Sequence, residues 1–240
     1  MARFDLTDFE WAVIQPLLPT KVRGVKRVDD RRLLNGIFWR LRTGAPWADI
    51  PMRYGPHTTC VNRFNRWRKA GVWARILEAV SKAYDGNIQM IDSSSIRVHQ
   101  HAANAQKDGP GCMGRSRGGL TTKIHAVVDA DGLPIALKLT PGQAHDGRSA
   151  DGLLESLDAG DILLADRGAW ANIKPMPNRK NVPAFSAFLY RYRNLVECFF
   201  NRLKHFRAVA TRYDKRDDNF LASVQLASIR IWLRHNESVT

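Results

Sequence analysis

Ile88-Gln-Met-Ile-Asp92 is the stretch on which the architecture turns. It is an apolar run of strand length that breaks into an acid, after a helical region and before a series of similar runs. Downstream, a Gly-rich basic stretch from Gly109 to Gly119 leads into Lys123 to Val128 and Leu133 to Leu139, two strands joined by a turn at Asp129–Gly132. Ser149 to Leu157 suits a short helix. Asp161 to Ala165 is a further apolar strand, and it runs into Asp166. A Pro- and Asn-rich loop from Lys174 to Pro183 follows, then an amphipathic helix over Phe188 to Phe206 and an apolar helix over Phe220 to Leu233. Upstream, residues 1–86 read as helical. The order predicts an α/β chain: a small helical, helix-turn-helix-like domain over 1–86, then a mixed-sheet domain over 87–240.

Within the first region, Asp29 and Asp30 can cap a helix in which Leu33, Leu34, Ile37, Phe38 and Leu41 recur at helical spacing, and Gly44 ends it. A second helix begins near Thr58 and stops at Gly71. At about 100° per residue, Cys60, Val61, Phe64 and Trp67 fall on one side, and Asn62, Arg63, Asn65, Arg66 and Lys69 on the other. Arg and Asn are suited to bidentate contacts with guanine and adenine edges, which makes Arg63, Arg66 and Lys69 candidate DNA-binding residues. The competing reading is a solvated basic face on a core helix.

The formal net charge is +14 over 240 residues, denser in residues 1–86, and favours a polyanionic partner. Cys60, Cys112 and Cys198 lie far apart and form no CxxC pair. That argues against a zinc ribbon or disulfide framework and fits a reducing cytoplasm. Met1 to Trp11 carries acids and reads as no signal peptide, and no apolar run has bilayer-spanning length. The expectation is a cytoplasmic, nucleoid-associated protein without a membrane partner.

Three acids form the candidate catalytic group. Asp92 and Asp166 each follow an apolar strand, where a carboxylate is poised over a sheet edge; singly, either is as well explained as a turn or cap residue. Glu197 lies in the amphipathic helix. There Tyr190, Arg193, Glu197 and Lys204 share a polar stripe roughly 60° wide, beside an apolar face of Leu195, Val196, Phe199, Phe200, Leu203 and Phe206. Hard divalent cations take carboxylate oxygens, so Asp92, Asp166 and Glu197 could hold two metal ions while Arg193 and Lys204 meet DNA phosphates. The alternative is an ion-paired surface stripe, because Arg193 and Glu197 are spaced i,i+4.

The pattern Tyr190-x2-Arg193-x3-Glu197-x6-Lys204 resembles the signature around the third acid of IS5-type insertion-sequence transposases. Ile91-Asp92-Ser-Ser-Ser-Ile-Arg-Val-His99, Arg115-Ser-Arg-Gly-Gly-Leu-Thr-Thr-Lys-Ile-His125, Thr140-Pro-Gly-Gln-Ala-His-Asp146, Leu164-Ala-Asp166-Arg-Gly168 and Ala210-Thr-Arg-Tyr-Asp-Lys215 are similar to the same family. Leu6-Thr-Asp-x-Glu10-Trp11, Leu34-Asn-Gly-Ile37 and Arg42-Thr-Gly-x-Pro-Trp47 resemble its N-terminal DNA-binding domain. The resemblance covers nearly the whole chain. It implies an RNase H-like catalytic fold with Asp92, Asp166 and Glu197 as a triad for two Mg2+ or Mn2+ ions. Arg115, Arg117, Lys123 and Tyr190 join Arg193 and Lys204 as DNA contacts. The implied partners are the terminal inverted repeats, target double-stranded DNA, and a second copy in a homodimer. One metal would activate water to free a 3′-hydroxyl, which attacks target DNA while the other stabilises the leaving oxygen. Ser93, Ser94 and Ser95 need not be catalytic. His99 and His101 lack Cys or His partners at zinc spacing and read as site-edge or loop residues.

One segment departs from the family. Members follow Asp-Arg-Gly with a Tyr-Asp pair and a helix, whereas here Gly168 runs directly into Ala169-Trp170-Ala-Asn-Ile173. A parallel crossover takes on the order of a dozen residues or more, and Arg167 and Gly168 cannot supply one. The expectation is a transposase that cuts and joins DNA at the element ends, carried by an internally deleted copy of the family. Its alternative is an inactive remnant with a misplaced triad, which acts only as a DNA-binding protein through residues 1–86. A transcriptional regulator with a ligand domain does not explain the ordered acids.

Overall fold

A computed structural model describes residues 4–20, 29–82, 88–103, 111–145, 153, 162–165 and 194–239. Its first helix, α1 (Asp8–Ile14), opens with a capping box: Thr7 Oγ1 accepts from Glu10 N at 3.1 Å, and Thr7 N donates to Glu10 Oε2 at 2.8 Å. Helix α2 (Asp30–Thr43) is capped by Asp29, whose side chain accepts from Arg31 N, and closes at Gly44 with φ 73°. Its Leu33, Leu34, Ile37, Phe38 and Leu41 are buried as the spacing predicts, each contributing about 1.5–3 kcal/mol by burial. Helix α3 (His57–Lys69) follows Pro56, and α4 (Val72–Ser81) begins after Gly71. Between α2 and α3 the chain makes two 3₁₀ turns, Trp47–Asp49 and Met52–Tyr54. They bring Trp47 against Phe64 at 5.3 Å between ring centres, and Trp67 and Trp73 meet edge to face at 5.2 Å.

The strand region departs from expectation at its opening strand. β1 (Ile88–Val98) does not end at Asp92; it continues through the three serines to Val98. The reason is pairing: β3 (Gly119–Val128) runs antiparallel beside it along its length, Asp92 opposite Ala126 and Arg97 opposite Thr121, so the serine run is held by ladder bonds that compensate for its low strand propensity. β2 (Gly114–Ser116) and β3 form a hairpin with Arg117–Gly118 at its tip. β4 (Pro134–Pro141) pairs with β3 through the expected turn, where Asp129 Oδ1 accepts from Asp131 N at 2.9 Å and Leu133 N at 2.8 Å. β5 (Ile162–Ala165) pairs parallel to β1, from Ile88 opposite Ile162 to Ile91 opposite Ala165. A mixed sheet therefore follows the helical N-terminal region, with β1 between β3 and β5.

A short helix, α5 (Gln100–Ala103), succeeds β1. Of the helix expected over 149–157, Leu153 alone is described, helical and buried. The loop expected over 174–183 and the shortened segment after Asp166 lie outside the described residues, as does the start of the helix expected from Phe188. That helix is described as α6 (Asn194–Lys204); α7 (Arg207–Ala210) and α8 (Asp217–Val239) complete the chain.

The chain divides into two compact units, residues 1–80 with 203–240, and residues 81–202. This division differs from the linear boundary expected at 86/87, since helices α7 and α8 cluster with the N-terminal helices. The buried pair Glu10–Arg230, Nε to Oε1 at 3.0 Å, is one reason, and the Arg230 guanidinium over the Phe38 ring is another. Arg230 Nη2 also donates to the Asp5 carbonyl at 2.8 Å.

Candidate active site and nucleic-acid interface

Asp92 lies at the middle of β1, half-buried, with β3 paired beside it and the parallel ladder to β5 ending one residue before it. Ser93 N donates to its Oδ1 at 2.7 Å, which fixes the carboxylate rotamer. On one flank is Ala126. On the other, β5 ends at Ala165, opposite Ile91, and the next residue in sequence is Asp166, the second acid of the motif. Asp166 itself, with Tyr190 and Arg193, lies outside the described residues.

Glu197 is exposed in the first turn of α6. The helix is tied to the sheet unit by contacts that sequence reasoning missed. Arg202 Nη2 donates to the Gly132 carbonyl at 2.7 Å. Gly132 sits in the β3–β4 turn with φ 70°, and a Cβ there would come within 2.9 Å of the Leu195 carbonyl oxygen. The turn and the start of α6 thus touch backbone to backbone, only two residues before Glu197. The accessible signal was the glycine closing the Asp129–Gly132 turn, which reads equally as ordinary turn chemistry. Gly132→Ala should destabilise the chain by about 1–3 kcal/mol through the left-handed backbone alone, more with the clash. A thermal unfolding curve unchanged from wild type would count against this docking.

No three His, Cys, Asp or Glu side chains converge at metal-binding distance among the described residues, which include only two of the three predicted acids. His99 and His101 stack edge to face at 4.7 Å, and His101 N donates to His99 Nδ1 at 3.3 Å. His125, buried in β3, shares a 2.7 Å hydrogen bond with Thr140 Oγ1. Burial pushes the Cys60 thiol up, chiefly by desolvation, which keeps it in the inert protonated form.

The basic residues separate into two groups. On α3, Arg66 and Lys69 are exposed together with Asn62, an i, i+4, i+7 stripe. Arg63 is not on that face. It is 7% exposed, ion-paired with Asp30 of α2, and its guanidinium lies 5.1 Å from the Trp67 ring centre. Its helical angle is intermediate between the two faces, and the acid on α2 draws it inward, so it is buried rather than part of the exposed stripe. Arg115 and Arg117 are exposed on the β2–β3 hairpin and Lys204 is exposed at the end of α6. Lys123 is half-buried, and its ammonium donates to the Ala144 carbonyl at 2.8 Å, so it holds the turn that follows β4.

Comparisons with known proteins bear on both the helical region and the mixed sheet that carries Asp92 in its central strand. Residues 6–77 match the family described as "Putative transposase of IS4/5 family", and residues 83–174 match the "Transposase DDE domain". The chain is 41% identical over 130 residues to the Brucella ovis protein "Putative transposase for insertion sequence element IS6501", covering 48% of this chain and 100% of that one. It is 34% identical over 117 residues to "Uncharacterized protein y4sN" of Sinorhizobium fredii, 48% of this chain and 94% of the relative. "Insertion element IS402 uncharacterized 16.2 kDa protein" of Burkholderia cepacia is 37% identical over 112 residues, 41% and 76% of the two chains. No solved structure matches. The chain belongs to the DDE transposases of insertion sequences, a family of DNA-cleaving enzymes. These relatives align with about half of it, and both family matches end before Glu197. Among the described residues no helix is long and apolar enough to cross a membrane.

Proposed function

We propose that this chain is an IS5-type transposase that cuts and rejoins double-stranded DNA at the terminal inverted repeats of its element, with an RNase H-like catalytic unit built on β1 and β5. The observation that carries this reading is the β1–β5 register: Asp92 follows Ile91, Asp166 follows Ala165, and Ile91 and Ala165 are partners on adjacent parallel strands. Glu197 is the third member, on a helix tied to the same unit through Gly132 and Arg202.

The donor set is entirely carboxylate, the chemistry that Mg2+ and Mn2+ take. Asp92, Asp166 and Glu197 would hold two such ions, which supply when bound the positive charge that activates water and stabilises the leaving oxygen. The protein's part is positioning. The Ser93 amide orients the Asp92 carboxylate, and the Gly132 turn fixes the first turn of α6. Asn62, Arg66 and Lys69 form the α3 face that reads DNA, Asn62 and Arg66 at base edges and Lys69 at phosphate. Arg115, Arg117 and Lys204, with Tyr190 and Arg193 by their place in the family signature, hold phosphates. Acting on two element ends at once calls for a homodimer. Its place of action is the nucleoid.

A specific observation favours a second reading, a DNA-binding remnant. The DDE-domain match ends at residue 174, shortly after the segment too short for a crossover. The deciding experiment incubates the protein with duplexes carrying the element's flanking ends and Mg2+ or Mn2+. Metal-dependent cuts at the ends establish the transposase. Salt-sensitive binding without cuts under either metal establishes the remnant. Lys69→Ala should lower the slope of log binding constant against log salt by about 0.9, the value of one lost phosphate contact. An unchanged slope removes Lys69 from the interface.

A further inference from the structure

The β2–β3 hairpin presents Arg115 and Arg117 to solvent, and its shape is fixed from within. Its strands pair at Gly114–Thr121, Arg115–Leu120 and Ser116–Gly119, which leaves Arg117 and Gly118 at the tip. The Ser116 hydroxyl accepts from Gly118 N at 3.2 Å and from Thr121 Oγ1 at 3.0 Å, and donates to the Gly119 carbonyl at 3.3 Å. Its one donor and both acceptor positions are thus used, all of them across the tip. Gly119 turns the chain at φ 95°, in the left-handed region that favours glycine. Solubility alone asks for no such order. A tip held this way loses little freedom when its arginines bind a ligand.

The strand that carries this tip also leads to the first acid. Leu120 on β3 lies opposite Arg115 of β2, and Ala126 lies opposite Asp92 of β1. From Leu120 to Ala126 is six residues of strand, about 20 Å at roughly 3.3 Å each. β2 and β1 flank β3, which adds two strand spacings across, about 9.5 Å. The direct separation is therefore about 22 Å, the length of about six to seven base pairs of duplex at roughly 3.4 Å per pair. The β1–β3 register is unbroken from Thr121 to Val128, and the bulge against β4 lies beyond Ala126, at Val127 and Val128. Hydrogen-bonded backbone fixes the spacing, inside the single unit of residues 81–202.

We infer that the hairpin is a clamp set at a fixed distance from the catalytic acid. When Asp92 stands at the bond joining the element to its flank, Arg115 and Arg117 hold backbone phosphates of the duplex about six to seven base pairs away. The inference rests on the reading of the chain as a transposase acting at those ends. Guanidinium groups recognise phosphate through charge-assisted hydrogen bonds, so the clamp sets the register of the duplex on the sheet unit and reads no bases.

Ethylation interference on a duplex spanning one element end maps the phosphates that the intact protein needs, and it requires no cleavage. Wild type should show interference at one or two phosphates roughly five to eight base pairs from the terminal bond of the element. Arg115→Gln with Arg117→Gln should abolish interference there and leave the other positions as they are. Both side chains are exposed, so neither substitution disturbs the core. By fluorescence anisotropy over a salt series, the same variant should lower the salt slope by about 1.8 and weaken binding on the order of tenfold at moderate salt. Arg115→Lys with Arg117→Lys, which keeps both charges, should restore the slope. Binding with no interference in that window overturns the clamp and leaves the transposase reading standing, as does a Gln variant with unchanged pattern and slope. Failure of the wild type to bind the end duplex overturns both.

Discussion

Asp92→Asn should reduce metal-dependent cleavage at the element ends on the order of a thousandfold and leave duplex binding within about twofold of wild type. The size follows from the contribution of a metal-organising carboxylate, several kcal/mol of transition-state stabilisation, at about 1.4 kcal/mol per tenfold in rate. The selectivity follows from geometry. Asparagine has the shape of aspartate and keeps an oxygen to accept from Ser93 N, the 2.7 Å bond that orients the side chain. β1 is held from Met90 to Arg97 by its ladder to β3, which the substitution does not touch. Glu197→Gln should give the same loss by the same argument, in a side chain that is exposed and adds little to stability. Cleavage by either variant within about tenfold of wild type would remove that acid from the triad. A wild-type protein that binds but never cuts would instead locate the failure in the shortened segment, and both substitutions would then be silent.

The second large effect is on stability. Glu10→Ala should cost about 3–5 kcal/mol, measured by denaturant unfolding, because it leaves an uncompensated charge in the interior. Glu10 is 0% exposed and Arg230 4%. Burial pulls the Arg230 guanidinium down to about 10, with Glu10 the main influence raising it, so the group remains charged at neutral pH and depends on its partner. Glu10 also closes the capping box with Thr7, worth about 1 kcal/mol. Glu10→Gln, which retains a hydrogen-bonding side chain without the charge, separates the two roles and should fall between Ala and wild type. A loss below about 1 kcal/mol for Glu10→Ala would mean that water reaches Arg230 in solution.

Several elements were legible in sequence because short-range rules decide them. Asp29 and Gly44 bound α2, and its apolar spacing fixes the buried face. The Asp129–Gly132 turn is made by one aspartate accepting from two nearby amides. The apolar run Ile162–Ala165 is a strand next to β1, as its residues suggest. Order and spacing of the motifs also placed the chain among insertion-sequence transposases, which the family matches show.

Arg63 marks the point where this reading stops. On a helical wheel it falls between exposed Arg66 and buried Trp67, an aspartate on the facing helix draws it inward, and periodicity carries no information about a neighbouring helix. β1 illustrates the same limit, since Ser93 to Ser95 extend the strand only because β3 supplies their hydrogen-bond partners. By itself the sequence determined the local elements, the ordered acids and the family. The tertiary structure alone decided which charges are interior and which face solvent. It also brought Glu10 to Arg230, Gly132 to Leu195 and Gly44 to Arg207. Those pairings join residues from 63 to 220 positions apart; burial and backbone approach select them, and these depend on the folded whole rather than on any local pattern.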